Sequence, residues 1–179
     1  MKVSDKNFQS IEIIKKKMKQ EKKIISYESY EKGTDLKQDQ FLLLQAAVQA
    51  AKNAYAPYSN FYVGAAILME NGKIITGNNQ ENASYPCGIC AERTALYSVN
   101  GQYPNTKILK LAVSILNEDT DHSYPPSPCG ICRQVMNEFE IQNQAAIELI
   151  LGHPDRITFV FDSCNSILPF SFNPDFLQH

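Results

Sequence analysis

The spacing of apolar positions predicts helices and strands that alternate along the chain. Helices are indicated where apolar residues recur every three or four positions, and strands where short runs are continuously or alternately apolar. The predicted helices are residues 41–54, 91–100 and 130–139, with a further helix start at 34–35 and a loose amphipathic helix at 8–23. The predicted strands are residues 24–30, 62–69, a returning strand from residue 74 after a hairpin turn at 70–73, 108–116, 146–151 and 157–161.

The order of these elements predicts the α/β class, as a layered α/β/α domain with a mixed central sheet. No apolar run reaches the roughly 18 residues that a membrane-spanning helix needs, and no secretory signal is recognisable at the N-terminus. We therefore expect a cytoplasmic protein without a membrane partner. The five cysteines are then expected to bind a metal or to act in catalysis, because disulfides are rare in a reducing compartment.

Charge is divided unevenly along the chain. Residues 1–23 carry eight lysines and three acidic residues, a net charge of +5, whereas the remaining residues carry 9 basic and 16 acidic side chains, a net charge of −7. This division indicates a lysine-rich N-terminal extension, residues 1–35, ahead of a main domain, residues 36–179. The acidic body argues against a nucleic-acid partner, because proteins that bind a phosphate backbone usually present a positive face.

Two cysteine-containing segments carry the candidate chemistry. Residues 90–93 read Cys-Ala-Glu-Arg and residues 128–132 read Pro-Cys-Gly-Ile-Cys, each at the start of a predicted helix. A Cys-x-x-Cys pair at a helix start can bind one metal ion, and a single further thiolate leaves one tetrahedral position open. Three protein ligands and an open position are typical of catalytic zinc, so Cys90, Cys129 and Cys132 are the candidate zinc ligands.

The residues beside these cysteines suggest acid–base chemistry. Glu92 lies two positions after Cys90, where its carboxylate can enter the same cavity and move a proton. Arg93 is the candidate donor to a thiolate, which would offset the negative charge of three sulfurs. Arg133 is equally consistent with such a role and with an ordinary surface arginine.

A structural zinc site is the alternative. Cys87 and Cys90 form a second Cys-x-x-Cys pair, and with Cys129 and Cys132 they could supply four ligands. The 38 residues between the two pairs exceed the usual zinc-ribbon spacing and contain a whole helix and strand. A fourth thiolate would also leave Glu92 without a role, so we interpret Cys87, like Cys164, as a small buried apolar residue.

The two segments resemble those of the cytidine deaminases, in the variant that binds zinc through three cysteines. The similarity runs from about residue 54 to residue 177. It includes residues 56–61, Ala-Pro-Tyr-Ser-Asn-Phe, and residues 77–83, Gly-Asn-Asn-Gln-Glu-Asn-Ala. Residues 168–174, Leu-Pro-Phe-Ser-Phe-Asn-Pro, resemble the family's segment that reaches a neighbouring subunit. The lysine-rich extension has no counterpart in the family core.

The resemblance implies roles for individual residues. One zinc ion per subunit would be held by Cys90, Cys129 and Cys132, with Glu92 as the proton shuttle. The nucleoside would be contacted by Asn79 and Glu81 at the ribose and by Phe61 at the pyrimidine. Phe172 would reach the active site of a neighbour in a homotetramer.

The function that the resemblance implies is hydrolytic deamination of free cytidine and 2′-deoxycytidine in pyrimidine salvage. Two alternatives stay open on the sequence. One is a deaminase of a modified cytosine nucleoside, and the other is a binding module with a four-cysteine structural zinc.

Overall fold

The computed structural model describes residues 19–116 and 124–177, so the predicted helix at 8–23 lies largely outside the described residues. It contains six strands and three long helices in the order β1 (Glu28–Tyr30), α1 (Gln38–Ala51), β2 (Val63–Met69), β3 (Ile74–Asn78), α2 (Ala91–Gln102), β4 (Ile108–Ile115), α3 (Gly130–Asn143), β5 (Glu148–His153) and β6 (Arg156–Phe161). Short 3-10 turns connect several of these elements.

The six strands form one mixed sheet with the order β1-β6-β5-β4-β2-β3. Only β4 and β5 pair in parallel, and every other neighbouring pair is antiparallel. A parallel pair needs a crossover connection, and the crossover between β4 and β5 contains α3. The predicted mixed sheet is confirmed.

Helices cover both faces of the sheet because its central strands are apolar on both sides. On one face, Leu43, Leu44 and Ala47 of α1 pack against Ala66 and the neighbouring central strands. On the other face, α2 and α3 pack against a larger cluster with members in β2, β4 and β5. The predicted layered α/β/α arrangement is therefore confirmed, and it leaves α2 and α3 side by side.

Gly64 of β2 allows α1 to lie unusually close to the sheet. A Cβ atom built at this position would be 1.9 Å from the carbonyl oxygen of Ala47 and 2.5 Å from the backbone nitrogen of Ala51. These are backbone atoms of a helix and cannot move aside without shifting α1. Only glycine therefore fits at this crossing.

Several predicted boundaries differ from the structure. Residues 34–35 lie in a 3-10 turn, and α1 begins at Gln38, where the Gln40 side chain accepts a hydrogen bond from the Lys37 backbone. Helix α2 continues through Gly101, because one helical glycine costs only about 1 kcal/mol. Of the predicted strand at 24–30, only the last three residues pair with β6.

No helix among residues 19–116 and 124–177 combines the length and the apolar character needed to cross a lipid bilayer.

Gly64→Ala is expected to destabilise the protein by about 3 kcal/mol or more, because the added methyl group overlaps the backbone of α1. The measurement is urea unfolding followed by circular dichroism. Gly101→Ala is the matched control. A Cβ at Gly101 meets no atom within 4 Å, and alanine is the better helix former, so this variant should be more stable by about 0.5–1 kcal/mol. Equal stability of the two variants would contradict the packing described here.

Candidate active site

Two helix N-termini carry the candidate zinc ligands. Cys90 is the residue immediately before the first turn of α2, and Cys129 occupies the same position before α3. Cys132 lies within the first turn of α3. Both helices cover the same face of the sheet, and the proximity of these cysteines shows that their N-terminal ends meet there. Backbone N–H groups at both helix starts favour negative charge on the sulfurs.

The three cysteines form one compact cluster. Their sulfur atoms all lie within 4.8 Å of one another, and the Sγ atoms of Cys129 and Cys132 are 3.5 Å apart. Four ligands around zinc at the usual Zn–S distance of about 2.3 Å place sulfurs about 3.8 Å apart. The cluster therefore fits a tetrahedral zinc ion with three protein ligands. Cys87 does not belong to this group among the described residues.

Hydrogen bonding lowers the pKa of the Cys90 thiol. A hydrogen bond from the Cys132 thiol, supported by the Arg93 guanidinium, holds the pKa of Cys90 at about 5. The Nη2 atom of Arg93 lies 3.6 Å from the Cys90 sulfur, and this contact raises the pKa of Arg93 in turn. The proton shared with Cys90 raises the pKa of Cys132, and burial raises it further. Arg93 therefore takes the predicted position beside a thiolate.

Glu92 is placed within the first turn of α2 with almost no exposure to solvent. Its relative exposure is 5%, and burial raises the pKa of its carboxyl group. The residue lines a cavity of about 620 Å³ that also contains Cys90, Cys129 and Arg93. Clefts of this size are typical of small-molecule sites.

The three residues expected to contact a nucleoside line the same cavity. Phe61 lies just before β2, and Asn79 and Glu81 follow β3. The segment that carries Asn79 and Glu81 is held from both sides, because Gln80 forms β-bridges with Tyr55 and with Ile89. These two bridges connect the loop that contains Phe61, the Asn79–Glu81 segment and the loop that leads to Cys90.

The side chains of Asn79 and Glu81 already bind the backbone around Phe61. Asn79 accepts a hydrogen bond from the Val63 backbone at 2.8 Å and donates one to the Phe61 carbonyl at 2.8 Å. Glu81 accepts bonds from the backbone and hydroxyl of Ser59 and from the Tyr58 backbone, and these lower its pKa. An amide and a carboxylate have further bonding capacity, so both residues can brace the loop and still bind a ligand.

Phe172 lies elsewhere in this chain. Its ring is 56% exposed, stacks on Phe176 at 5.6 Å and does not line the cavity. Its backbone carbonyl accepts hydrogen bonds from Gln134 at 2.7 Å and from the buried Asn137 at 3.4 Å, both on α3. The structure therefore brings together all the predicted site residues except Phe172.

Two supporting residues were not assigned by the sequence. Arg133 donates from Nε to the Pro128 carbonyl at 2.7 Å and from Nη1 to the Ile167 carbonyl at 3.1 Å. It thus holds the segment that leads into Cys129, which favours a role near the cluster over that of an ordinary surface arginine. Ser59, the second of these residues, clamps Glu81. The sequence offered one indication of this role, because Ser59 lies within the motif at residues 56–61.

Burial was predicted for both remaining cysteines, Cys87 and Cys164, and the structure confirms it for one of them. Cys164 is buried, as predicted. Cys87 is exposed, so the prediction of a small buried apolar residue was wrong there. It lies in a 3-10 turn, Tyr85–Cys87, at the protein surface, where the chain has no core to face.

The sequence of this chain is similar to those of known cytidine deaminases. Residues 37–147 match the sequence profile of the family described as the cytidine and deoxycytidylate deaminase zinc-binding region. A cytidine deaminase of Mycobacterium tuberculosis is 39% identical over 132 residues, which cover 72% of this chain and 86% of that protein. A probable cytidine deaminase of Dictyostelium discoideum is 38% identical over 137 residues, 74% of this chain and 85% of that protein.

Solved structures agree with the sequence relatives. The crystal structure of cytidine deaminase from Burkholderia pseudomallei superposes with a TM-score of 0.61 at 38% identity, covering 73% of this chain and 97% of that one. The M. tuberculosis enzyme superposes with a TM-score of 0.57 at 33% identity, covering 75% and 98%. The matched profile, these relatives and the cluster of three cysteines beside a buried glutamate agree, and the chain is an enzyme of the cytidine deaminase family.

Proposed function

We propose that this chain hydrolyses free cytidine and 2′-deoxycytidine to uridine and 2′-deoxyuridine, in a cytoplasmic pyrimidine salvage role, with one zinc ion per subunit. The observation that carries the proposal is that Cys90 and Cys129 of the three-sulfur cluster and the buried Glu92 line one cavity with Phe61, Asn79 and Glu81. The names of the relatives, cytidine deaminases of several organisms, point to the same substrate.

The proposed reaction needs a Lewis acid, which zinc would supply, and a group that transfers protons, which is Glu92. A zinc ion held by Cys90, Cys129 and Cys132 would supply a Lewis acid that lowers the pKa of water to about 7. Glu92 accepts one proton from the attacking water and donates it to N3 of the ring, which makes C4 electrophilic. The water oxygen bonds to C4. Glu92 then transfers the second water proton to the amine, the C4–N bond breaks, and ammonia leaves.

The cavity favours a nucleoside over a nucleotide. Among the described residues that line it, Arg93 is the only cation, and its guanidinium already binds the Cys90 sulfur. Among the described lining residues, a phosphate group would therefore find no cationic side chain that is not already engaged. The spare bonding capacity of Asn79 and Glu81 suits the hydroxyl groups of a sugar, and Phe61 offers an aromatic face for a flat base.

We also propose that the active form is a homotetramer in which Phe172 reaches the cavity of a neighbouring subunit. The exposure of its ring and its absence from the cavity of its own chain support this. A ring supplied by a neighbour would exclude water from the reacting centre and make activity depend on assembly.

Glu92→Gln is expected to lose roughly 10²–10⁴-fold in cytidine turnover while keeping zinc and fold, because an amide cannot carry protons. The measurement is the absorbance loss as purified protein converts cytidine to uridine, beside the metal content. Glu31→Gln, which changes an exposed carboxylate that does not line the cavity, is the control and should match wild type. Wild-type turnover by a zinc-loaded Glu92→Gln protein would reject the assigned role.

Cys129→Ala and Cys132→Ala are expected to lose most of their zinc and activity, whereas Cys87→Ala should keep both. The reason is that Cys87 lies outside the sulfur cluster. Metal content by atomic absorption and turnover are measured on all three proteins. Loss of zinc from Cys87→Ala would support the four-cysteine structural site instead.

Phe172→Ala is expected to lower kcat/KM for cytidine by roughly tenfold, since a buried aromatic contact contributes on the order of 1 kcal/mol beyond its area. Oligomeric mass is measured in parallel by light scattering. Leu177→Ala, another exposed apolar change in the same segment, is the control and should keep wild-type kinetics. A fully active monomer would refute the shared site, and a tetrameric Phe172→Ala protein with unchanged kinetics would remove Phe172 from it.

A further inference from the structure

Some residues that precede the family region pack against the domain. The family match begins at residue 37, yet residues 28–30 form β1 and pair with β6. Residues 19–27, which precede this strand, have no regular secondary structure. We call residues 19–30 the strap and residues 168–177 the C-terminal segment.

Aromatic packing and strand pairing anchor the strap. The ring of Tyr27 contacts Phe159 at 4.7 Å and Phe161 at 5.3 Å, both on β6. β1 covers the outer edge of β6, whose backbone groups would otherwise lack a strand partner. These contacts fix the end of the strap that is nearer to α1.

The other end of the strap reaches the C-terminal segment. The Lys23 ammonium group donates a hydrogen bond to the Pro169 carbonyl and lies 5.4 Å from the centre of the Phe170 ring. Between the two ends, residues 23–26 line a groove together with residues from the turn at 162–166. A cation that binds a carbonyl and an aromatic face restricts both residues at once.

The same segment is held on its other side by α3. Gln134 and Asn137 both donate to the Phe172 carbonyl. The C-terminal segment thus has attachments to the strap at Pro169 and Phe170 and to α3 at Phe172. The helix that supplies Cys132 is connected in this way to an element that the family region does not contain.

We propose that the strap is a positioning element that holds the C-terminal segment in place, with Lys23 as its contact residue and Tyr27 as its anchor. The functional part of this inference rests on the proposed function, because it treats Phe172 as part of an active site. The structural part does not rest on the proposed function, since it concerns only how firmly residues 168–177 are held in place.

Hydrogen–deuterium exchange of the full-length protein tests the structural part. Lys23→Ala should raise the exchange rate of peptides within residues 168–177 by roughly three- to tenfold, the expected effect of losing a charged hydrogen bond and a cation–π contact. Lys23→Arg keeps both interactions and should restore the wild-type rate. Lys22→Ala removes the same charge from a side chain with no hydrogen bond or ion pair to another described residue, and its exchange should equal wild type.

Tyr27→Ala tests whether the strap positions the C-terminal segment or only covers the outer edge of β6. Loss of the anchor should speed exchange in both β6 and the C-terminal segment, while Tyr27→Phe, which keeps the ring, should change neither. Faster exchange in β6 alone would overturn the proposal, as would unchanged exchange in Lys23→Ala. Exchange is measured without substrate, so its outcome does not depend on which nucleoside the enzyme deaminates.

Kinetics on cytidine test the functional part. Lys23→Ala should raise KM by roughly threefold and leave kcat within about twofold, because the segment would be displaced while the zinc ligands and Glu92 stay in place. Lys22→Ala should keep both constants. An unchanged KM in a Lys23→Ala protein whose C-terminal segment exchanges faster would overturn the positioning role. Absence of cytidine turnover in wild type would refute the proposed function and leave the exchange result standing.

Discussion

Binding one zinc ion would require three thiolates to meet at one point, and the structure around the cysteine cluster fits that requirement. Thiolates repel one another, so their convergence needs nearby positive charge and a rigid support. The N-termini of α2 and α3 supply partial positive charge, and Arg93 supplies a full one at 3.6 Å from Cys90. The common sheet face under both helices fixes their separation.

The cavity is built around this cluster by bracing side chains. Asn79 and Glu81 hold the loop that carries Phe61, and Arg133 holds the segment before Cys129. Each brace joins parts of the chain that leave different strands or helices. A site assembled from loops thereby gains the rigidity of regular elements, which the proposed reaction, with its two proton transfers, would require.

Much of the fold and of the candidate site could be predicted from local sequence. The central strands and both cysteine-bearing helices follow from apolar spacing. Cysteine spacing alone left a four-cysteine site open, and the position of Glu92 beside Cys90 favoured the cluster of three cysteines. Contacts between distant residues could not be predicted. Helix α3 runs four residues beyond its predicted end, and the Asn143 side chain then binds the Ile108 backbone, 35 positions away. Arg133 binds a carbonyl 34 positions away, and Cys87 is exposed although its residue type favours burial.

The pairing of β1 with β6 has a consequence for biosynthesis. Val160, the partner of Glu28, follows it by 132 residues. At typical translation rates the ribosome needs about 7 to 26 s to make that stretch. During this interval β2, β3 and β4 can already associate, while the nascent N-terminal segment has no strand to join. The first strand to leave the ribosome is therefore the last to enter the sheet.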